Sequence, residues 1–158
     1  ALNFIGPEVA ARRISIVLEL TEELPLVQVD RDQMKQVFYN LIRNSSQAIG
    51  SDGEIIVRTG FDDENVSFTF ADDGPGIPAD QVSRVFEPYF TTKKAGSGRG
   101  LMIVQRIIHE HGGEAQFRSE VGEGTEVSVF LPRAERLVRF LPEQSEAPSP
   151  VIDINPIS

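Results

Sequence analysis

The stretch DRDQMKQVFYNLIRNSSQAIG, residues 30–50, carries the most sustained periodicity in the chain. Met34, Val37, Phe38, Leu41, Ile42, Ser45, Ala48 and Ile49 recur at intervals of three and four, which sets them along one stripe of an α-helix. Asp30 stands where a helix N-cap belongs, and Gly50 and Gly53 end the run. Beside the stripe, Gln36, Asn40 and Asn44 repeat every fourth residue, so their amides lie along one polar strip. A helix of this kind needs an apolar surface to cover its stripe, and the flanking sequence supplies one.

Upstream, residues 4–12 read as a short helix, and Ile14, Ile16, Leu18 and Leu20 then alternate as in a half-buried strand. A turn over 22–25 leads into a second short strand expected at 26–29. Downstream, residues 54–61 and 66–71 read as a hairpin turned at 62–65. Residues 72–100 are rich in glycine and proline and lack periodicity, which makes them a long loop of the kind that serves as a lid. A second helix over 99–110 bears Ile103, Val104, Ile107 and Ile108 on one face, and Gly112-Gly113 offers a left-handed cap. Residues 114–119 and 125–131 are the last two strands. One domain is therefore expected over 1–132, with an extension over 133–158 that adds a short helix at 133–141 and is disordered after 142.

With 158 residues, 40% of them hydrophobic, the chain is large enough for one core. No apolar run reaches the ~20 residues that span a bilayer, and no secretion signal opens the sequence. The absence of cysteine removes disulfides and thiolate metal sites. A net charge of −9 argues against a broad nucleic-acid surface. It leaves a single nucleotide open, since a triphosphate can be held by backbone N–H groups, a few local cations and a divalent metal.

Four groups of residues can carry chemistry. The Asn40 and Asn44 amides can offer oxygens to a hard cation such as Mg²⁺, or can be plain exposed amides. DDGPGIP, residues 72–78, follows a strand, so Asp72 can accept a hydrogen bond from an exocyclic amine while the glycines bring backbone close to a ligand; an acidic turn is the alternative. GSGRG, residues 96–100, runs into the second helix and places free N–H groups at a glycine-lined mouth, with Lys93, Lys94 and Arg99 nearby. GEGT, residues 122–125, is a hairpin turn whose Thr125 can reinforce a base pocket. Phe86, Tyr89 and Phe90 read as packing anchors of the lid, and His109 and His111 as helix-end residues that meet the last carbonyls.

In their order and spacing these motifs resemble the catalytic domain of sensor histidine kinases, over residues 30–132. NLIRN (40–44) is similar to that family's asparagine box, DDGPGIP to its first glycine box, and GSGRG and GEGT to its later ones. FEPYFTTK (86–93) resembles the phenylalanine box, particularly of nitrogen-regulation-type kinases. The resemblance implies an α+β fold: a two-layer α/β sandwich with a mixed, mostly antiparallel sheet, helices on one face and a long ATP lid. It further implies that Asn44, with Asn40, holds Mg²⁺ against the phosphates of ATP. Asp72 takes the adenine amino group, Gly74, Gly76 and Thr125 shape its pocket, and Gly96, Ser97, Gly98, Gly100 and Leu101 line the phosphate end. Lys93 is the lid cation expected to reach the phosphates, and it joins Asn40 and Asn44 as a catalytic candidate. Arg99 departs from the family's usual leucine, so it either pairs with a phosphate or crowds the hinge of the lid. Asp73 stands where asparagine is common and adds negative charge.

Asn40 also bears on the reaction that the resemblance implies. In the ATP-hydrolysing relatives a glutamate in this place activates water, whereas an amide cannot take a proton at neutral pH, so idle hydrolysis should be slow. The expected activity is transfer of the γ-phosphate to a histidine on a dimerisation hairpin, expected upstream of residue 1, followed by a response regulator receiver domain as partner. Neither His109 nor His111 suits the acceptor role, because both match the family's His-Gly-Gly helix end. The chain is expected as a monomer and the full protein as a homodimer, with the domain cytoplasmic and the whole either cytoplasmic or anchored in the inner membrane. The rival readings are an ATP-hydrolysing relative and a degenerate nucleotide-binding module that recruits partners.

Overall fold

The computed structural model describes residues 6–86 and 100–134. Its elements run α1 (Gly6–Ala11), β1 (Ile14–Glu19), α2 (Arg31–Ile49), β2 (Gly53–Phe61), β3 (Asn65–Asp72), α3 (Ala79–Val82), α4 (Gly100–Glu110), β4 (Glu114–Glu120) and β5 (Gly124–Pro132). The five strands form one sheet in the order β1-β2-β3-β5-β4. Only the β1–β2 pair is parallel; the other pairs are antiparallel, so the sheet is mixed and mostly antiparallel as expected.

Alternate strand residues fill one side. Ile55 and Val57 of β2, Phe70 of β3, and Val127, Val129 and Leu131 of β5 meet Val37, Leu41 and Ile42 of α2 and Val104, Ile107 and Ile108 of α4 in a single core. Phe38 adds aromatic packing, with its ring centroid 5.4 Å from Phe68 and 5.7 Å from Phe70. The two layers are thus helices on one face and sheet on the other. The opposite face stays wet: Arg58 pairs with Glu19 at 2.6 Å, and the Thr69 and Ser128 hydroxyls meet at 3.2 Å.

The ends of α2 obey the sequence. Asp30 is the N-cap, its carboxylate accepting the Gln33 N–H at 2.9 Å, and Gly50 (φ 80°) closes the helix by donating its N–H to the Ser46 carbonyl at 3.0 Å. At the end of α4, Gly112 takes φ 74° and the Gly113 N–H reaches back to the Ile108 carbonyl at 2.9 Å, the expected left-handed cap. One expectation fails. Residues 26–29 form no strand; Val27 makes an isolated bridge to Arg133, because the outer edge that the end of β5 offers is only one pair long. The short α3 interrupts what reads in sequence as continuous loop. The helix expected over 133–141 and the tail after 142 lie outside the described residues. No helix among the described residues is long and apolar enough to cross a membrane.

Candidate functional site

At one end of the sheet a single row of paired residues crosses three strands. Asp72 ends β3 opposite Thr125 of β5, and Thr125 stands opposite Ser119 of β4. Strand alternation turns this row toward the helix layer, like Phe70, Val127 and Phe117 before it. Asp72 is the one acidic residue among the buried polar groups of the described residues, with 8% exposure. Burial pushes its pKa up, opposed by hydrogen bonds from the Gly74 N–H, the Ser45 hydroxyl and the Thr125 N–H, while the charge of Asp73 adds to the rise. The Gly74 bond measures 3.0 Å. An ionised carboxylate has about four acceptor positions. The Gly74 bond occupies one of them, so the carboxylate can still accept an N–H from a ligand.

The loop after β3 is held against the β4–β5 turn. Gly76 has φ 76°, and a side chain there would run into the Glu120 carbonyl, so the position needs glycine on both counts. The Ile77 N–H donates to Ser119 Oγ at 2.7 Å, and the Gly122 N–H to the Pro75 carbonyl at 2.9 Å. Gly124, at φ 105°, lets β5 start directly over the Asp72 carbonyl. Asp73 points elsewhere: its carboxylate accepts the Glu54 N–H at 2.9 Å and ties the loop to β2.

The helices form the other wall. Asn40 turns its Nδ2 back to the Gln36 carbonyl at 2.9 Å, which leaves its oxygen outward. That oxygen faces the first residue of α4, since a methyl group on Gly100 would sit 3.6 Å from Asn40 Oδ1. Asn44 follows one turn along α2, on the side of Ser45 and hence of Asp72. α2 and α4 run antiparallel, because at their far ends the Asp30 N–H donates to His111 Nε2 at 3.1 Å. His111 Nδ1 meets the Ile107 carbonyl at 2.7 Å, the helix-end role expected of it. An amide oxygen thus looks onto a helix N-terminus, a geometry that suits a hard cation on one side and an anion on the other.

The description "Histidine kinase-, DNA gyrase B-, and HSP90-like ATPase" matches residues 29–135, the span that holds this sheet row, both helices and the loop. The chain belongs to that ATPase family. Within it, the chain is 38% identical over 132 residues to the sensor histidine kinase ZraS of Escherichia coli, covering 84% of this chain and 28% of ZraS. It is 38% identical to the sensory histidine kinase/phosphatase NtrB of Rhizobium leguminosarum, covering 79% of this chain and 37% of NtrB. The chain therefore spans less than two fifths of the length of these relatives. The solved catalytic domain of histidine kinase ThkA superposes with a TM-score of 0.74 at 30% identity, covering 83% of this chain and 88% of that one. Among histidine kinases this chain corresponds to the ATP-binding catalytic domain.

Of the residues expected at the site, Asn40, Asn44, Asp72, Gly74, Gly76, Gly100, Leu101 and Thr125 fall in the described residues; Asn40 lies by Gly100, and Asp72 lies by Gly74 and Thr125. Leu101 packs against the core as the second residue of α4. Lys93, Gly96, Ser97, Gly98 and Arg99 lie outside the described residues, as do Tyr89 and Phe90. Phe86 stacks edge-on to Phe117 at 6.3 Å, a packing anchor as read. Three contributors went unread in sequence: Ser45, which stands by the Asp72 carboxylate, Ser119, which joins the two glycine turns, and the link from His111 to Asp30. Two of them had a signal, a polar residue in an apolar register: Ser45 within the α2 stripe, and Ser119 after Ala115 and Phe117 in β4.

Proposed function

We propose that this domain binds Mg-ATP and hands the γ-phosphate to a histidine borne on a dimerisation hairpin of the same protein. The observation that carries this reading is the meeting of Asn40 Oδ1 with the N-terminus of α4 while Asp72, on the same end of the sheet, keeps acceptor capacity beyond its bond to the Gly74 N–H. Asp72 takes the adenine amino group, with Gly74, Gly76 and Thr125 around the base. Asn44 and Asn40 present the amide oxygens that suit Mg²⁺, which when bound offsets the phosphate charge. Gly100 and Leu101 open the helix whose N–H groups face the phosphates, with Gly96, Ser97, Gly98, Arg99 and Lys93 completing that end.

The domain's task in such a transfer is positioning. An incoming imidazole nitrogen bonds to the γ-phosphorus as the bond to the bridging oxygen breaks, and ADP leaves. Asn40 cannot act as a base toward water, so hydrolysis in the absence of the acceptor is slow. We assign residues 1–132 to the catalytic domain and 133–158 to an extension, whose first residues stay tied to the fold by the Arg133 N–H on the Glu64 carbonyl and the Ala134 N–H on the Leu26 carbonyl. The downstream partner we propose is a response regulator receiver domain. ThkA, similar at 28% identity and a TM-score of 0.71, has been solved in complex with the response regulator protein TrrA.

Mixing the chain with the separately made hairpin of its full-length protein and γ-labelled ATP tests the proposal. Acid-labile label should appear on the hairpin and not on the chain incubated alone. Label accumulating on the chain alone, or multiple-turnover hydrolysis unaffected by the hairpin, would overturn it.

A further inference from the structure

Ser119 lies beyond the pocket, yet its hydroxyl joins both glycine turns. Its Oγ is 2.7 Å from the Ile77 nitrogen, 3.0 Å from the Gly124 carbonyl oxygen and 2.8 Å from Thr125 Oγ1. A serine hydroxyl owns one hydrogen and two lone pairs. The Ile77 N–H can only donate and the Gly124 carbonyl can only accept, so these two contacts fix Ser119's hydrogen on Gly124 and one lone pair on Ile77. Only a lone pair is left for Thr125. The Thr125 hydroxyl therefore spends its hydrogen on Ser119 and shows the pocket lone pairs alone.

We infer that Ser119 is a specificity-determining residue: by taking the Thr125 hydrogen it makes the base pocket a pair of acceptors, Asp72 and Thr125, which selects a 6-amino purine over a 6-oxo purine. The inference deepens the ATP reading above and rests on it. Thr125 is the cross-strand partner of Asp72 and faces the same side of the sheet, so both acceptors address one edge of the base. A 6-amino group brings hydrogens to that edge. A 6-oxo purine offers a single hydrogen, on N1, so only one of the two acceptors is matched and the 6-oxygen is buried against the lone pairs of the other. Without Ser119 the Thr125 hydroxyl is free to rotate and donate, and the discrimination relaxes. Thr125 is then a contact whose polarity is set one strand away.

The test titrates the chain with Mg-ATP and with Mg-ITP, whose base carries oxygen at position 6 and a hydrogen on N1 in place of the 6-amino group and bare N1 of ATP. Calorimetry compares wild type, Ser119→Ala, Thr125→Val and the double variant, with thermal unfolding as the check on folding. Ser119→Ala also loses the Ile77 bond and weakens both ligands, so the readout is the ratio of their affinities. That ratio should favour ATP in the wild type and fall by about tenfold in Ser119→Ala, the scale of one unpaired buried polar group. In the Thr125→Val background, Ser119→Ala should no longer move it, as a double-mutant cycle requires when the two act through one hydrogen bond. An unchanged ratio in folded Ser119→Ala, or an equal change in both backgrounds, overturns the assignment. Should Ser119→Ala fail to fold, Thr125→Val alone decides: it removes the second acceptor, and a ratio equal to wild type refutes the proposal. Wild-type chain that binds ATP with these outcomes refutes only the role of Ser119, whereas wild-type chain that binds no ATP refutes the nucleotide reading itself.

Discussion

Replacing Asp72 by asparagine should remove ATP binding and spare the fold. The carboxylate accepts the Gly74 N–H at 3.0 Å, with the Ser45 hydroxyl and the Thr125 N–H beside it favouring its charge, and keeps acceptor capacity for the base. Asparagine has the same shape but one oxygen, and its NH₂ must point somewhere. Turned toward the chain, it sets donors against the N–H groups of Gly74 or Thr125; turned toward the ligand, it sets donors against an amine. The loss of a hydrogen bond to a charged group costs about 1.5–3 kcal/mol, and a buried donor left facing a donor about 1–3 kcal/mol more. Affinity should therefore fall by roughly two to four decades. The folded chain loses little, because burial already penalises the ionised carboxylate, and the amide escapes that penalty. Calorimetry for binding and thermal unfolding for the unliganded chain check both halves. An affinity within threefold of wild type would refute the placement of adenine on Asp72, and a collapse of the unliganded fold would refute the claim that the residue serves the ligand.

Two further outcomes follow from the same geometry. Because the folded pKa of Asp72 is raised above 3.8, the folded chain binds the proton more tightly than the unfolded one, so this group's contribution to stability improves as pH falls through the raised value and is complete below 3.8; ATP affinity moves the other way, since protonation consumes the open acceptor position, and Asp72→Asn should flatten that acid limb of a binding profile. His111→Ala should lower stability by about 1–2 kcal/mol for two lost hydrogen bonds and weaken Mg-ATP more than adenosine, which touches only the base side; equal losses for both ligands in a titration would show that the link at Asp30 does not govern the helix wall.

Much of this was legible in the order of residues, for a physical reason that also marks where legibility stops. The stripe of α2, its Asp30 cap, the Gly112-Gly113 ending and the Asp72 turn are written within a few residues of one another, where periodicity and backbone freedom act. The insertion of β5 between β3 and β4 is not local, and two successive hairpins would have satisfied the same alternation. The strand misread at 26–29 has the right composition but lacks a partner longer than one bridge, and strand identity is conferred by the partner. Ser119 meets Ile77 across 42 positions and His111 meets Asp30 across 81, distances at which sequence carries only the hint of a polar residue in an apolar register.

Those long-range bonds explain why this end of the domain can hold a ligand at all. The wall of amides and the mouth of α4 belong to different helices, and neither adjoins Asp72 in sequence. What fixes their spacing is the antiparallel packing of α2 on α4, registered at one end by His111 on the Asp30 backbone and met at the other by Asn40 against Gly100. A slide of one helix by a single turn, 5.4 Å, would break the first contact and carry the Asn40 oxygen past the helix mouth. The remaining tie is the packing of the loop after β3 on α2, where a methyl group on Gly74 would sit 3.4 Å from the Ala48 backbone and 2.9 Å from Asp72 Oδ1. The base side and the phosphate side are thus coupled through one helix, so a ligand that spans both reads the register of α2, and a fragment that contacts the base alone does not.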